Sequence, residues 1–586
     1  MKASDYIIEY IINKDITKIY GYIGGAIAHL ANSLYKNKKI EMVNAIHEQG
    51  AGFAAEGYAR ATGKIGIAMA TSGPGATNLV TPIGSCFFDS IPTVFITGQV
   101  NTYEYKYEKP VRQIGFQETD IVSIIKPITK YAVMVSDIND LRYEIEKCFY
   151  IAAHGRKGPV LIDIPMNIQR TEADFNQLRS FFDGDEYKTL SKSEQIDKDI
   201  LHKIQKMINN SSRPVMLLGG GIRLSNACKE LKYLIETTNI PIVHSLMGTD
   251  CIDSDYKYNQ GLIGAYGNRY GNFTLANADV ILVLGSRLDT RQTGTDLKTF
   301  ARSAKVIHVD IDENELGDKV KVDIHVKSDI KDFLTKLNKF DYKLNIENWQ
   351  NKCLEYKRQY PSTKSIDNSI KKTNLLISEI FKNLNSEDVI CVDVGQHQMW
   401  VAQSGHIKEG QRVLFSGGMG SMGFAFPAAI GASIGTGKRS IVITGDGGMQ
   451  MNIQELEIIK RRNLPVKIFV INNQNLGMVR QFQELYFEGR LQSTVEDYSV
   501  PDFAKITNAY GLNAKNINYD ETTESSIKDF LKDSSNILLN IIIEKYTTVE
   551  PKLIVNYPIE DMHPFLDRDE FTTQMLIDPV KGYRNV

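Results

Sequence analysis

Two short segments of this 586-residue chain bring together the residue types that a divalent cation and a diphosphate require. Gly445-Asp446-Gly447-Gly448 follows the apolar run Ser440–Ile443, and 27 residues after Asp446 a second apolar run, Val466–Ile471, leads into Asn472-Asn473. A carboxylate at one strand's carboxyl end and an amide at a neighbour's can converge on one hard cation. Mg²⁺ takes oxygen ligands and commonly shares them with phosphate oxygens. The glycines let backbone approach those oxygens, and a helix predicted over Asn452–Arg461 would add its amino end. Gly-Asp-Gly alone is most often a turn capped by its own aspartate; the paired asparagines after a second strand favour the cation site.

Two further groups could do chemistry. In the first third, Asn44-Ala45-Ile46-His47-Glu48-Gln49-Gly50 leads to Ala54-Ala55-Glu56-Gly57-Tyr58-Ala59-Arg60. Glu48 lies among small apolar residues, where a carboxyl group can hold and release a proton near neutral pH. Taken alone it reads as a surface glutamate at a helix start, stabilised by the helix dipole. In the middle third, Gly219-Gly220-Gly221 follows the apolar run Val215–Leu218, Gly285-Ser286-Arg287-Leu288-Asp289 follows Val280–Leu284, and Asp310-Ile311-Asp312 follows Val306–Val309. Glycines and acids at strand ends serve a dinucleotide's phosphates and riboses, although a single Gly-Gly-Gly is more often a plain tight turn.

The elements that must position these residues alternate short apolar strands with amphipathic stretches, the pattern of parallel-sheet α/β domains. Ile65–Ala70, Thr93–Thr97 and Val160–Ile164 read as buried strands in the first third. Pro214–Leu218, Val280–Leu284 and Val306–Val309 do so in the middle, and Val389–Val392, Ser440–Ile443, Val466–Ile471 and Ile537–Ile543 in the last third. Polar stretches at Phe182–Asp199 and Asp341–Lys372 read as linkers. The expected fold is three doubly wound parallel-sheet domains at about 1–180, 195–340 and 370–545, with a tail over 546–586 that is either flexible or an ordered cap. No short-period repeat is visible.

The Gly-Asp-Gly segment with its distant Asn-Asn pair resembles the motif of thiamine-diphosphate enzymes. The resemblance covers the chain to about Tyr546 and is closest to the catalytic subunit of acetohydroxyacid synthase. Its further blocks are Gly24-Gly25-Ala26, His47-Glu48-Gln49-Gly50, Ser72–Asn78, Phe116-Gln117-Glu118-Thr119-Asp120 and Asn472–Arg480. It implies a pyrimidine-binding first domain, a central FAD-type domain and a diphosphate-binding third domain. It also implies that Asp446, the Asn473 side chain and the Asn475 carbonyl bind Mg²⁺, and that Gly395, Gln396, His397, Gly445, Gly447, Gly448, Gly477 and Met478 contact thiamine diphosphate. Met422 would hold the cofactor bent, and Glu48 would activate it at the pyrimidine N1′. Gly25, Phe116, Gln117 and Lys130 would lie at the reacting centre, and Phe482 would shape the acceptor pocket. FAD, with no redox role, would contact Arg156, Gly219, Gly220, Gly221, Arg287, Asp289 and Asp310. In such enzymes one cofactor is held by two chains, so a homodimer or homotetramer is implied.

Four departures from the resemblance bear on the acceptor half of the reaction. Phe482 stands for a Trp, Met166 for a Lys, Gly264-Ala265-Tyr266-Gly267 for Gly-Met-His-Gly, and the tail Pro558–Phe565 differs. The expected reaction removes CO₂ from pyruvate and transfers the two-carbon unit to a carbonyl acceptor. On these departures the expected acceptor is bulky, such as a nucleotide-linked keto-deoxysugar. The alternatives are acetolactate formation and simple 2-keto acid decarboxylation. A non-catalytic nucleotide-binding homologue conflicts with intact Glu48, Asp446 and Asn473, and an NAD-dependent dehydrogenase leaves the paired asparagines unexplained.

Bulk properties fit a soluble enzyme. Lys+Arg (68) nearly balances Asp+Glu (70), which gives no field for nucleic acid or an anionic membrane. No apolar run approaches membrane-span length, and no signal-peptide core is visible near Met1. The six cysteines are scattered without metal spacing. The expected location is the cytoplasm, with thiols reduced.

Overall fold

A computed structural model describes residues 1–192 and 195–580. Three sheets of six strands form its frame, every strand pairing parallel to its neighbours. The first contains Lys18–Gly21, Glu41–Asn44, Gly66–Ala70, Thr93–Gln99, Tyr131–Met134 and Pro159–Pro165, ordered 2-1-3-4-6-5 along the sheet. The third contains Val389–Val392, Arg412–Phe415, Ser440–Gly445, Val466–Asn472, Asn513–Asn518 and Asn536–Ile542 in the same order. The middle sheet differs. Its strands Pro214–Leu218, Ile242–His244, Asn259–Leu262, Val280–Leu284, Lys305–Asp310 and Ile324–Lys327 run 3-2-1-4-5-6, the order of dinucleotide-binding sheets. In open parallel sheets a ligand crevice lies beyond the carboxyl ends of strands where the order reverses. That places crevices after strands 1 and 3 of the outer sheets, and after strands 1 and 4 of the middle one.

The first and third sheets meet through two helices, Glu48–Thr62 and Ala425–Thr436. Glycines set their close approach: a Cβ on Gly57 would fall 2.0 Å from the Ala428 carbonyl oxygen, and one on Gly431 would fall 1.8 Å from that of Ala54. One apolar core spans both sheets across this contact, including Phe53, Tyr58, Phe424 and Ile430.

Two expectations change, and one of the tail's two readings falls away. The stretch read as a linker at Asp341–Lys372 contains helix Glu347–Gln359, whose Trp349, Cys353 and Tyr356 are buried in the middle core. Trp349 donates its indole N–H to the Pro214 carbonyl at 3.1 Å. The tail is ordered to residue 580: Tyr557, Ile559, Leu566 and Phe571 join the middle core, and helix Arg568–Gln574 closes the segment. The helix expected over Asn452–Arg461 is two pieces, Asp446–Met451 and Leu456–Arg462, with a turn at Ile453–Glu455. Asn452 breaks it, its φ of −134° lying outside the helical range. Within the first linker a short helix covers Asp185–Leu190; that linker's residues 193–194 and the tail's 581–586 lie outside the described residues.

Candidate active site

At the carboxyl end of the third sheet, strand Ser440–Gly445 runs directly into helix Asp446–Met451, which buries the Asp446 side chain to 2% exposure. Its carboxylate accepts the Tyr498 hydroxyl at 3.2 Å and backbone N–H groups of Gly447 and Asn475. Burial nonetheless pushes its pKa up to about 6. A buried carboxylate without a cation beside it is the setting that a divalent ion relieves. Asn473, at the end of strand Val466–Asn472, donates its amide nitrogen to the Gln396 side-chain oxygen at 2.9 Å, which leaves its own oxygen as the atom available to a cation. The Asn475 carbonyl accepts from Gly477 N–H at 2.9 Å and keeps a second lone pair. One carboxylate and two amide oxygens thus form an oxygen-only donor set suited to Mg²⁺.

Glycines let polar side chains crowd in beside this set. A Cβ on Gly477 would fall 2.1 Å from Gln396 Oε1, and one on Gly448 2.9 Å from Asp393 Oδ2. His397 lies against both Gly395 and Gly445, with Cβ positions 2.7 and 3.1 Å from its ring. Burial holds the His397 pKa down at about 3, so the ring is neutral. The Asp393 backbone binds it, and Nε2 is buried with no partner among the described residues. A buried ring nitrogen left unpaired is costly unless a ligand meets it, and a phosphate oxygen would. Met422 is half-buried, its methyl 3.0 Å from where a Gly447 Cβ would stand, and Met478 is half-buried just after Gly477.

A second group forms at the edge of the first sheet. Glu48 is the first residue of helix Glu48–Thr62 and is 7% exposed, not on the surface. Asn78 donates to its Oε2 at 2.9 Å, and a Cβ on Gly75 would stand 3.1 Å from its Oε1. Gln117 packs beside Gly73, where a Cβ would meet its own Cβ at 3.0 Å. Thr71 binds the next loop by accepting Ala26 N–H at 3.1 Å, and a Cβ on the neighbouring Gly25 would face open space. Phe116 is 86% exposed. Met166 opens a short helix, Met166–Arg170. Lys130 does not join this group. Its ammonium donates to the His154 carbonyl at 2.7 Å and to that of Ile151, at the carboxyl end of helix Leu141–Ala153, where the helix dipole favours a cation. Burial brings its pKa down to about 8.

Sequence reasoning missed the residues that bind the two groups to one frame. Asp393, one residue beyond an expected strand, is fully buried and accepts Gly423 N–H at 2.9 Å and the Thr444 hydroxyl at 3.2 Å. Asn452 donates to both the Gly423 carbonyl (2.9 Å) and Gln49 Oε1 (3.2 Å). Glu455 accepts backbone N–H groups of Ile46 (3.3 Å) and His47 (3.1 Å), which fixes the segment before Glu48. A strand-end acid was the available signal for Asp393; contacts across some 400 residues leave none for Asn452 or Glu455. Burial raises the Glu455 pKa to about 7. A carboxyl group raised on folding contributes stability that is present in acid and lost as pH rises through its folded value. Thermal unfolding at pH 5 and pH 8 is therefore expected to show a smaller pH-dependent drop in Glu455→Gln than in the unmodified protein. An identical drop would mean that this carboxyl is not shifted.

A cavity of about 410 Å³ opens at the middle sheet's switch point. Arg156, Gly220, Gly221, Arg287, Asp289 and Asp310 all line it. Gly219 lies behind, where a Cβ would fall 2.1 Å from the Gly285 carbonyl oxygen. Arg156 reaches across from the first third to Asp312 (2.8 Å) and Glu315 (2.7 Å). Glycine turns, a guanidinium and strand-end acids around one cavity form a cradle that fits a dinucleotide. Phe482 lies on helix Gly477–Tyr486, 43% exposed and packed on Tyr486.

An oxygen-only donor set beside glycine turns on one sheet, with a buried glutamate on a sheet of identical order, is an arrangement suited to an enzyme with a diphosphate cofactor. Profiles of the thiamine pyrophosphate enzyme N-terminal TPP binding domain, central domain and C-terminal TPP binding domain match residues 1–124, 201–337 and 393–541. The chain belongs to the thiamine pyrophosphate enzyme family. Within it, the chain is related to acetolactate synthases. It is 36% identical over 558 residues to the probable acetolactate synthase large subunit of Methanocaldococcus jannaschii, covering 93% of this chain and 92% of that one. It is 33% identical over 552 residues to the acetolactate synthase isozyme 2 large subunit of Escherichia coli (94% and 97%). Acetolactate synthase 2, chloroplastic, of Nicotiana tabacum is 36% identical over 574 residues (94% and 83%). Among the described residues no helix is long and apolar enough to cross a membrane.

Proposed function

We propose that this enzyme is an acetolactate-forming carboligase: it takes CO₂ from pyruvate and joins the remaining two-carbon unit to a second 2-keto acid. The carrying observation is similarity to acetolactate synthases over more than nine-tenths of the chain. That similarity supports acetolactate formation over the bulkier, sugar-linked acceptor expected from Phe482 and Met166. Each of those substitutions is one side chain, whereas the resemblance extends through all three sheets.

Thiamine diphosphate, when bound, supplies the carbon centre and electron sink for decarboxylation. In this reading Asp446, Asn473 and the Asn475 carbonyl hold Mg²⁺, while His397, Gln396 and the glycine turns seat the diphosphate. Glu48 holds a proton at the pyrimidine N1′ and returns it. Met422 and Met478 present apolar surface to the cofactor's middle, and Gly25 and Gln117 face the reacting centre. The cavity beside Gly220 and Arg287 would hold FAD, with Arg156 and Asp310 placed for its phosphates and ribose.

A second copy of the chain would complete each site. Tyr22, Ile23, Tyr103, Tyr107, Ile114 and Phe116 are each more than 40% exposed in the loops next to Gly25 and Gln117. An apolar surface of that kind marks a protein contact.

Mass analysis of products from ¹³C-pyruvate tests the reaction. Labelled acetolactate as the main product supports it; labelled acetaldehyde alone, or condensation only with added keto-sugar nucleotides, would refute it. The purified protein is also expected to be yellow, with its flavin unreduced during turnover. A colourless preparation that gains nothing from added FAD would remove FAD from the account.

A further inference from the structure

Lys552 is a buried cation with no acid paired to it among the described residues. The residue is 6% exposed, and its ammonium has no hydrogen-bond partner among the described residues. Two rings flank the ammonium, with the Phe482 centroid at 5.7 Å and the Tyr266 centroid at 5.8 Å. Its backbone is fixed by paired bonds to His563, 2.8 Å each way, and Leu553 N–H donates to the Ala265 carbonyl at 2.7 Å. The acids of the same tail segment are committed elsewhere. Glu550 accepts from Thr548 (3.1 Å) and Ser365 (3.5 Å), Glu560 pairs with Arg302 at 2.6 Å, and Asp561 with Arg568 at 2.8 Å. A second cation, Arg291, stands 5.9 Å from the other ring partner, Tyr266. An unpaired buried ammonium is costly, and ring faces recover only a small part of that cost. Burial accordingly lowers the Lys552 pKa to about 8.

The position connects this cation to the candidate active site. Five residues before Lys552, the Thr547 carbonyl accepts from Gln396 at 2.9 Å, and the Thr547 hydroxyl lies 3.4 Å from the Asn473 amide. Val549 is held by Gln481 in both directions, at 3.0 and 3.1 Å. The segment therefore runs along helix Gly477–Tyr486 from the cation site to Phe482. Val479 and Phe482, 52% and 43% exposed, leave that side of the helix open for a substrate.

We propose that Lys552 binds the carboxylate of the acceptor 2-keto acid, an inference that rests on the carboligase reading above. A 2-keto acid carries its carboxylate next to the electrophilic carbonyl, so an ammonium fixed at one wall orients that carbonyl as well as attracting it. Lys552 thus supplies a cation beside Phe482, while Met166 supplies none.

The test is calorimetric binding of 2-ketobutyrate to the protein loaded with Mg²⁺, FAD and an unreactive deaza analogue of thiamine diphosphate. Lys552→Met is expected to weaken binding about tenfold or more, and Lys552→Arg to keep most of it. The neutral methyl ester is expected to bind all three proteins equally weakly. Equal 2-ketobutyrate affinity in Lys552→Met, or an equal loss with the ester, would overturn the assignment. So would Lys552-dependent binding of uridine diphosphate in place of the keto acid. Because this readout needs no turnover, a protein that forms no acetolactate would refute the carboligase reading while the binding result still decides the role of Lys552. Unchanged affinity for the cofactor analogue in both variants shows that they fold.

Discussion

Glu48→Gln is expected to cut turnover by on the order of 10² to 10⁴, the range set by losing one acid–base group, with the fold intact. Glutamine fills the same volume at a position only 7% exposed and can still accept the Asn78 amide that binds Glu48 Oε2 at 2.9 Å. What it cannot do is take up and release a proton at the cofactor's N1′. Hydrogen–deuterium exchange at C2 of bound thiamine diphosphate isolates that step from substrate binding. Exchange is expected to slow in step with turnover while cofactor affinity stays near its original value. Exchange as fast as in the unmodified protein would assign Glu48 a structural part only.

Asp446→Ala is expected to weaken Mg²⁺-dependent cofactor binding by about 100-fold or more, because it removes the only charged ligand in the oxygen set. The same substitution is expected to leave the cofactor-free protein at least as stable near pH 8. There the Asp446 carboxyl, whose pKa burial has raised to about 6, is ionised in a site that disfavours the charge. The two effects oppose each other, so together they distinguish a metal ligand from a residue that merely supports the turn. Thermal unfolding with and without cofactor and Mg²⁺ reads both: the variant should lose the stabilisation that ligand binding confers. A variant that is destabilised without ligand yet still stabilised by it would contradict the metal assignment.

Most central strands were legible because they are buried on both faces and read as continuous apolar runs: Val280–Leu284 and Val466–Ile471 fall within one residue of the observed elements, whereas interior Lys18–Gly21 and Ile242–His244, four and three residues long, gave no such run. Edge strands were not. Asn513–Asn518 is mostly exposed, with few apolar residues, and Glu41–Asn44 is four residues long. The shared order of the first and third sheets left no repeat in the sequence, because strand order is fixed by crossovers whose side chains differ. The tail's apolar residues are isolated between prolines and acids, so nothing local showed that Tyr557 and Phe571 fill a core laid down some 300 residues earlier. At the site, short motifs pointed to Asp446, Asn473, His397 and Glu48, because glycines, acids and amides just past apolar runs are visible locally. Lys130 was misjudged for the opposite reason: its ammonium is claimed by carbonyls of a helix more than 20 residues away. Lys552 lies in the segment where the resemblance fades, and only its empty surroundings in the fold draw attention to it.

In the proposed dimer, Glu48 of one chain and Asp446 of another serve a single cofactor. Coexpressing Glu48→Gln with Asp446→Ala tests it directly. In a random mixture half the dimers are hybrids, and each hybrid holds one site with both residues intact. The two nearly inactive proteins are expected together to recover about a quarter of the original activity, in a species bearing both chains. If the mixture stays as inactive as its parents although hybrid dimers are isolated, each chain must build its site alone, and the claim is wrong.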